Sequence, residues 1–202
     1  MSVNKVVIVK YNAGNIRSVD FALKRLGVDA VITDDPELIL SADKVIFPGV
    51  GEARNAMAYL REREMDKVFR KITRPFLGIC LGQQLMCAYS EEGGTQCLGI
   101  FDEIVKRFKP DAQHLKVPHM GWNAIHDLKG PLYKGIPEMS YVYFVHSYYV
   151  EAGPDTVATC DYIQPFAASL QKDNYYSCQF HPEKSGDIGS RILDNFLSIG
   201  RM

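Results

Sequence analysis

A short apolar run, Val6 to Val9, gives way to Asn12-Ala13-Gly14, after which Ile16, Val19, Leu23 and Leu26 recur at helical spacing as far as Gly27. An unbroken apolar run bounded by turn residues predicts a strand, here over residues 5–11, and the three- and four-residue spacing predicts a helix packed on it. The pattern repeats. "DAVIT" and "DKVIFPGVG" predict two further strands, and Ala53, Ala56, Met57, Leu60 and Val68 mark one helix after the second. "RPFLGIC" and "LGQQLMCAY" predict a third strand and its helix. Strands that alternate with helices, each strand continuously apolar, point to a parallel sheet covered on both faces.

From residue 95 to residue 180 the pattern changes. "YVYFVHSYYV", "TVATC", "FAASLQ" and "YYSCQF" are rich in aromatic and β-branched residues with turn signals between them, which predicts an added antiparallel or mixed section. Ile188, Ile192, Leu193, Phe196 and Leu197 then outline an amphipathic closing helix. The expected class is α/β: an open, mostly parallel sheet flanked by helices, with an antiparallel β section added.

Composition narrows the setting. No repeat, low-complexity tract or Gly/Ser linker interrupts the 202 residues, so a single domain over 1–202 is expected. A net charge of −1 points to no nucleic-acid or membrane surface. The first apolar run is too short for a signal peptide or a membrane span, and the expected compartment is the cytoplasm. Five cysteines, at 80, 87, 97, 160 and 178, are an odd number without a C-x-x-C, which fits neither a disulfide framework nor a zinc site. No metal and no cofactor is expected.

Ligands of open α/β sheets bind at the carboxyl ends of the strands, and three such ends carry reactive chemistry. The first is Gly78-Ile79-Cys80-Leu81-Gly82, with the G-x-nucleophile-x-G spacing of a nucleophile elbow. Glycines flank the nucleophile because the turn leaves no room for Cβ atoms. A cysteine there sits at a helix N-terminus, whose partial positive charge favours an anionic sulfur, and the Leu81 amide points where an oxyanion would form. The second end is "CQFHPEKSG", where His181 can shuttle the thiol proton and Glu183, two residues on, can hold its tautomer. The third is "FPGVG", where Val50 and Gly51 are placed to supply a second oxyanion donor. Taken singly, these are also what a buried thiol, a solvated turn and a glycine turn look like. Together they make a Cys-His-Glu arrangement.

In their order and separation, "PGVG", "GICLGQQL" and "QFHPEKSG" resemble the class I, triad-type glutamine amidotransferases over nearly the whole chain, which implies a flavodoxin-like fold. "YNAGNIRSV", "KVPHMGWN" and "YFVHSYYV" narrow the likeness to the free-standing glutaminase subunits of imidazole glycerol phosphate synthase, in histidine biosynthesis. The resemblance implies hydrolysis of L-glutamine by Cys80, His181 and Glu183, with ammonia passed to a (β/α)8-barrel cyclase subunit in a heterodimer. It implies an oxyanion hole at Val50, Gly51 and Leu81, and contacts to glutamine from Gly49, Gln84, Glu92, His146, Ser147 and Tyr148. Gln84 is also plausible on spacing alone, since i+4 from Cys80 puts it on the same helix face. Toward the cyclase the likeness places Asn12, Asn15, Trp122 and Lys184. One departure is Gln83, where the family more often has methionine; the sequence assigns it no role. Three other readings remain: a paralogue serving another acceptor, such as a sugar; a catalytically silent, glutaminase-like binding module; and a cysteine peptidase or general hydrolase on a related sheet.

Overall fold

The computed structural model describes residues 5–11, 15–110 and 115–200. Its first half alternates strand and helix: β1 (Val6–Val9), α1 (Ile16–Arg25), β2 (Val31–Thr33), α2 (Pro36–Leu40), β3 (Lys44–Gly49), α3 (Ala53–Glu62), α4 (Met65–Phe69), β4 (Phe76–Cys80) and α5 (Leu81–Met86). A β-rich stretch follows, with β5 (Tyr89–Ser90), β6 (Thr95–Gln96), β7 (Ile104–Arg107), β8 (His119–Ile125), β9 (Ser140–His146), β10 (Tyr148–Val150), β11 (Thr156–Asp161), β12 (Pro165–Lys172) and β13 (Tyr175–Cys178), before α6 (Gly186–Ser198) closes it.

Seven strands form the main sheet in the order β11-β12-β13-β4-β3-β1-β2. The run from β13 to β2 is parallel, and β11 and β12 extend it antiparallel. Because side chains alternate along a strand, β1 feeds two cores. Val6 and Ile8 pack with Leu23 of α1 and Ile192 and Phe196 of α6, whereas Val7 and Val9 pack with Ile39 of α2, Leu60 of α3 and Phe69 of α4. That double burial is why the strands read as continuous apolar runs. A four-stranded sheet, β10-β7-β5-β6, and the β8-β9 ribbon make up the added section. No helix among the described residues is long and apolar enough to cross a membrane.

Two elements differ from the sequence expectation. The single helix from Ala53 to Val68 is broken: Arg63 ends α3, Glu64 takes a left-handed φ of 56°, and α4 restarts at Met65 so that Met65 and Phe69 reach the core. The break lies at the end of the charged run Arg61-Glu62-Arg63-Glu64. Helix α5 stops at Met86 rather than running on to Tyr89, because the carbonyls of Leu85 and Met86 accept the amides of Leu98, Ile100 and Phe101 at 2.8–3.0 Å. A helix end satisfied from outside has no need of another turn. Glu92 therefore lies beyond β5, in the loop before β6.

The register of the parallel strands sets up the site. Gly49 of β3 pairs with Cys80, and Cys178 of β13 pairs with Ile79, so the loops leaving β3 and β13 emerge on either side of the β4-α5 junction.

Candidate active site

Cys80 joins β4 to α5 at φ 54° and ψ −109°, a conformation L-residues rarely adopt. Such backbone strain costs about 1–3 kcal/mol and persists only where surrounding packing imposes it. Here the packing is explicit. A Cβ on Gly78 would press on the backbone of Gly82 and Gln83 as well as on the Met86 sulfur, and one on Gly82 would strike the carbonyl oxygen of Phe47 on β3. Both glycines of the elbow are thus required by close approach.

His181 follows β13 and opens a short 3-10 turn, Pro182–Lys184. The turn is pinned to β9: the His181 amide donates to the Tyr143 carbonyl at 2.9 Å, and the Ser185 hydroxyl donates to the His181 carbonyl at 2.7 Å while accepting the Tyr143 amide at 2.9 Å. Glu183 Oε1 lies 2.8 Å from His181 Nδ1. A carboxylate oxygen accepts, so Nδ1 carries the proton and Nε2 is left as the base. Nε2 interacts with the Cys80 sulfur but has no well-aligned hydrogen bond, as is common for catalytic contacts before substrate binds. Burial alone would lower the pKa of this imidazole, but the neighbouring Cys80 sulfur and the Glu183 carboxylate outweigh it and hold it up at about 10, so Nε2 readily takes up the Cys80 proton.

A cleft of about 340 Å³ opens over the sulfur, lined among others by Val50, Gly51, Leu81, Gln84, Glu92, His146 and Ser147. That size is at the small end of the range for ligand pockets, ~300–1,000 Å³, and suits a free amino acid better than a peptide. Gly51 has a φ of +119°. Gly49 lies beneath this loop, packed against the Tyr11 hydroxyl and the backbone of Gly82. The Tyr11 hydroxyl is itself buried without a hydrogen-bond partner, and burial, with the nearby thiol, raises its pKa. Tyr148 contributes through its carbonyl, which accepts His146 Nδ1–H at 2.7 Å and Gln84 Nε2–H at 3.0 Å. His146 Nε2 in turn accepts Nδ1–H of His119 at 3.0 Å. Burial pushes the two imidazoles down to about 3 and about 4 respectively, so this pair is neutral at ordinary pH.

Glu92 reaches the cleft from the loop between β5 and β6, half-buried, with Oε2 accepting the Ala53 amide at 2.8 Å. Burial raises its pKa, the Ala53 amide pulls against that rise, and Glu52 adds to it.

Of the four residues assigned to a partner, Asn12 lies outside the described residues. Asn15 is buried and donates from Nδ2 to Glu183 Oε1 at 3.3 Å, which places it behind the triad carboxylate. Trp122 and Lys184 are exposed and meet over one ring: Trp122 packs edge-on against Tyr143 at 6.1 Å between centroids, and Lys184 Nζ lies 6.0 Å from the same ring. Gln179, which sequence reasoning did not single out, is fully buried with Nε2 3.6 Å from Cys80 Sγ and Oε1 accepting from Gln84 at 2.9 Å. Its signal in the sequence was only its place two residues before His181. Among the described residues no group of three or more His, Cys, Asp or Glu side chains is arranged to hold a metal.

The profile of the family described as glutamine amidotransferase class-I matches residues 7–199. The imidazole glycerol phosphate synthase subunit HisH of Bacteroides fragilis is 61% identical over 195 residues, covering 96% of this chain and 100% of the relative. The subunit of the same name from Vibrio parahaemolyticus is 45% identical over 206 residues, covering 98% and 100%. Among solved structures, that of PurLQS from Thermotoga maritima superposes with a TM-score of 0.71 at 14% identity, over 98% of this chain and 99% of the other, a likeness of fold.

Proposed function

The chain belongs to the class-I glutamine amidotransferase family, and from that premise we propose that it is the glutaminase subunit of an imidazole glycerol phosphate synthase, with the whole chain acting as one amidotransferase domain. It hydrolyses glutamine to glutamate and ammonia. The observation that carries the reading is an elbow cysteine that lines one small cleft and interacts, beneath it, with a buried histidine whose far nitrogen is held by a buried glutamate.

In this mechanism the Cys80 sulfur attacks the side-chain amide carbon of glutamine, and His181 Nε2 takes the thiol proton. The negative charge that forms on the amide oxygen rests on the Leu81 amide, free at the first turn of α5, and on amides of the Val50-Gly51 loop. His181 returns its proton to the departing nitrogen, which leaves as ammonia. Water, deprotonated by the same nitrogen, then cleaves the thioester and releases glutamate. Glu183 keeps the proton on Nδ1 throughout, and Asn15 steadies Glu183. Gln84, Glu92, His146 and Ser147 line the side of the cleft suited to the amino and carboxylate ends of the substrate.

Ammonia set free into water is protonated and lost as a nucleophile, so the cleft works with a partner that receives it directly. That partner is a (β/α)8-barrel cyclase subunit, paired with this chain as a heterodimer. The exposed face of Trp122, Tyr143 and Lys184 beside the His181 turn is the contact this reading assigns to it. Five free cysteines suit the reducing cytoplasm, the compartment where the reading places it.

Cys80→Ala tests the function. In the complex with the cyclase, the variant should lose synthesis from glutamine and keep synthesis from added ammonium salts. Loss of both activities would overturn the reading. Wild-type glutamate release from free glutamine, without peptide cleavage, separates it from a peptidase, and covalent trapping of Cys80 by a glutamine-analogue electrophile separates it from a silent module.

A further inference from the structure

Gln179 touches the reacting atom, and the polarity of its contact is set from a distance. That polarity starts at the Tyr148 carbonyl, which can only accept hydrogen bonds. It takes one from His146 Nδ1 at 2.7 Å and one from Gln84 Nε2 at 3.0 Å. The nitrogen end of the Gln84 amide must therefore face β10. Its second N–H is directed to Gln179 Oε1, 2.9 Å away. With its oxygen committed there, Gln179 turns its own NH2 to Cys80 Sγ at 3.6 Å, a normal separation for a donor on the larger sulfur atom. Reversing the Gln179 amide would set NH2 against NH2 at one end and oxygen against sulfur at the other. The side chain is fully buried, and its backbone amide is tied to the Ala168 carbonyl at 2.8 Å, so it has no solvent to turn toward.

We infer that Gln179 is a catalytic residue, donating a hydrogen bond to the Cys80 sulfur that stabilises negative charge there. The inference deepens the glutaminase reading and rests on it. Charge sits on sulfur at two points of the cycle. It is present when the thiol proton has passed to His181 and the C–S bond has not yet formed. It returns when water has added to the thioester and the C–S bond breaks, its electron pair going back to sulfur until His181 restores the proton. A donor fixed on the side of the sulfur served by β13 serves both steps without moving. Hydrogen bonds to charged groups in buried sites are among the stronger ones, and losing this one should slow turnover by about 10-fold to 100-fold.

The test uses the full chain in complex with its cyclase. Gln179→Glu keeps the shape and the acceptor for Gln84 but places oxygen against sulfur; Gln179→Met removes donor and acceptor with a neutral side chain and covers the case in which the buried glutamate does not fold. Either variant should lower kcat for glutamine hydrolysis by about 10-fold or more with KM changed less than about threefold. Carbamidomethylation of Cys80 by iodoacetamide at neutral pH, followed by mass spectrometry, should slow in parallel, which a merely structural role would not produce. Turnover and alkylation within about twofold of wild type, or a rise confined to KM, would overturn the inference. Wild-type protein that does not hydrolyse glutamine would instead fail the functional reading, and the alkylation rates would still decide the contact between Gln179 and sulfur.

Discussion

Glu92 Oε2 accepts the amide hydrogen of Ala53 at 2.8 Å, so a carboxylate that lines the cleft also caps the first turn of α3, immediately after the Val50-Gly51 loop. Arg54 reinforces the link by donating Nε–H to the Gly93 carbonyl at 2.9 Å. That side of the cleft and the start of the helix after the Val50-Gly51 loop are thereby one clasp.

The clasp separates two variants. Glu92→Gln keeps an oxygen for the Ala53 amide but loses the charge that would meet the substrate's ammonium group. It should raise KM for glutamine by about 10-fold while leaving thermal stability within about 0.5 kcal/mol. Glu92→Ala also removes the cap, and should cost a further 0.5–2 kcal/mol or so in urea unfolding and lower kcat as the loop loosens. Steady-state kinetics and unfolding curves on the two variants measure both halves.

Gln83, without a role in the sequence, has one in the fold. It donates from Nε2 to the Ala167 carbonyl at 3.1 Å and accepts from the Ser177 hydroxyl at 3.0 Å, joining α5 to β12 and β13. Gln83→Met, the residue the family more often carries, should leave these buried groups short of partners and cost about 1–3 kcal/mol, with KM for glutamine unchanged. In a double-mutant cycle with Ser177→Ala the two losses should sum to more than the double variant's loss, because the second change removes a group the first has already orphaned. Strict additivity would show that the two side chains do not act together.

Acid stability should report on the buried histidine pair. His119 and His146 fall from an ordinary 6.5 to about 4 and about 3 because burial disfavours their charged forms. Between pH 6.5 and about 4 the unfolded chain then binds more protons than the folded one, so stability present above pH 6.5 is lost as the pH falls, by on the order of 3 kcal/mol per imidazole. His119→Gln retains an N–H donor for His146 and removes one titration. Its stability should fall about half as steeply over that window, measured by urea unfolding at stepped pH.

The alternation of β1 to α5 was readable because each strand is buried on both faces and each helix on one, and those burials leave periods in the sequence. The α3-α4 break went unread, since the sequence pattern predicted one helix; that Glu64 would turn left-handed depended on Met65 and Phe69 finding the same core. The early end of α5 had no local cause at all, since the amides that satisfy its carbonyls come from residues 98 to 101.

The sequence by itself determined the reactive geometry that steric crowding dictates locally. Gly78 precedes Cys80 because a Cβ there would press on the backbone of Gly82 and Gln83 in the next turn, and Glu183 can hold His181 because a two-residue step in a tight turn brings them together. What only the tertiary structure decided is which polar groups face one another across elements. Asn15 meets Glu183 over 168 residues, Gln84 meets Gln179 over 95, and Gln83 meets Ser177 over 94. A buried amide needs partners wherever packing supplies them, and that demand leaves no period or spacing in the chain from which it could be read.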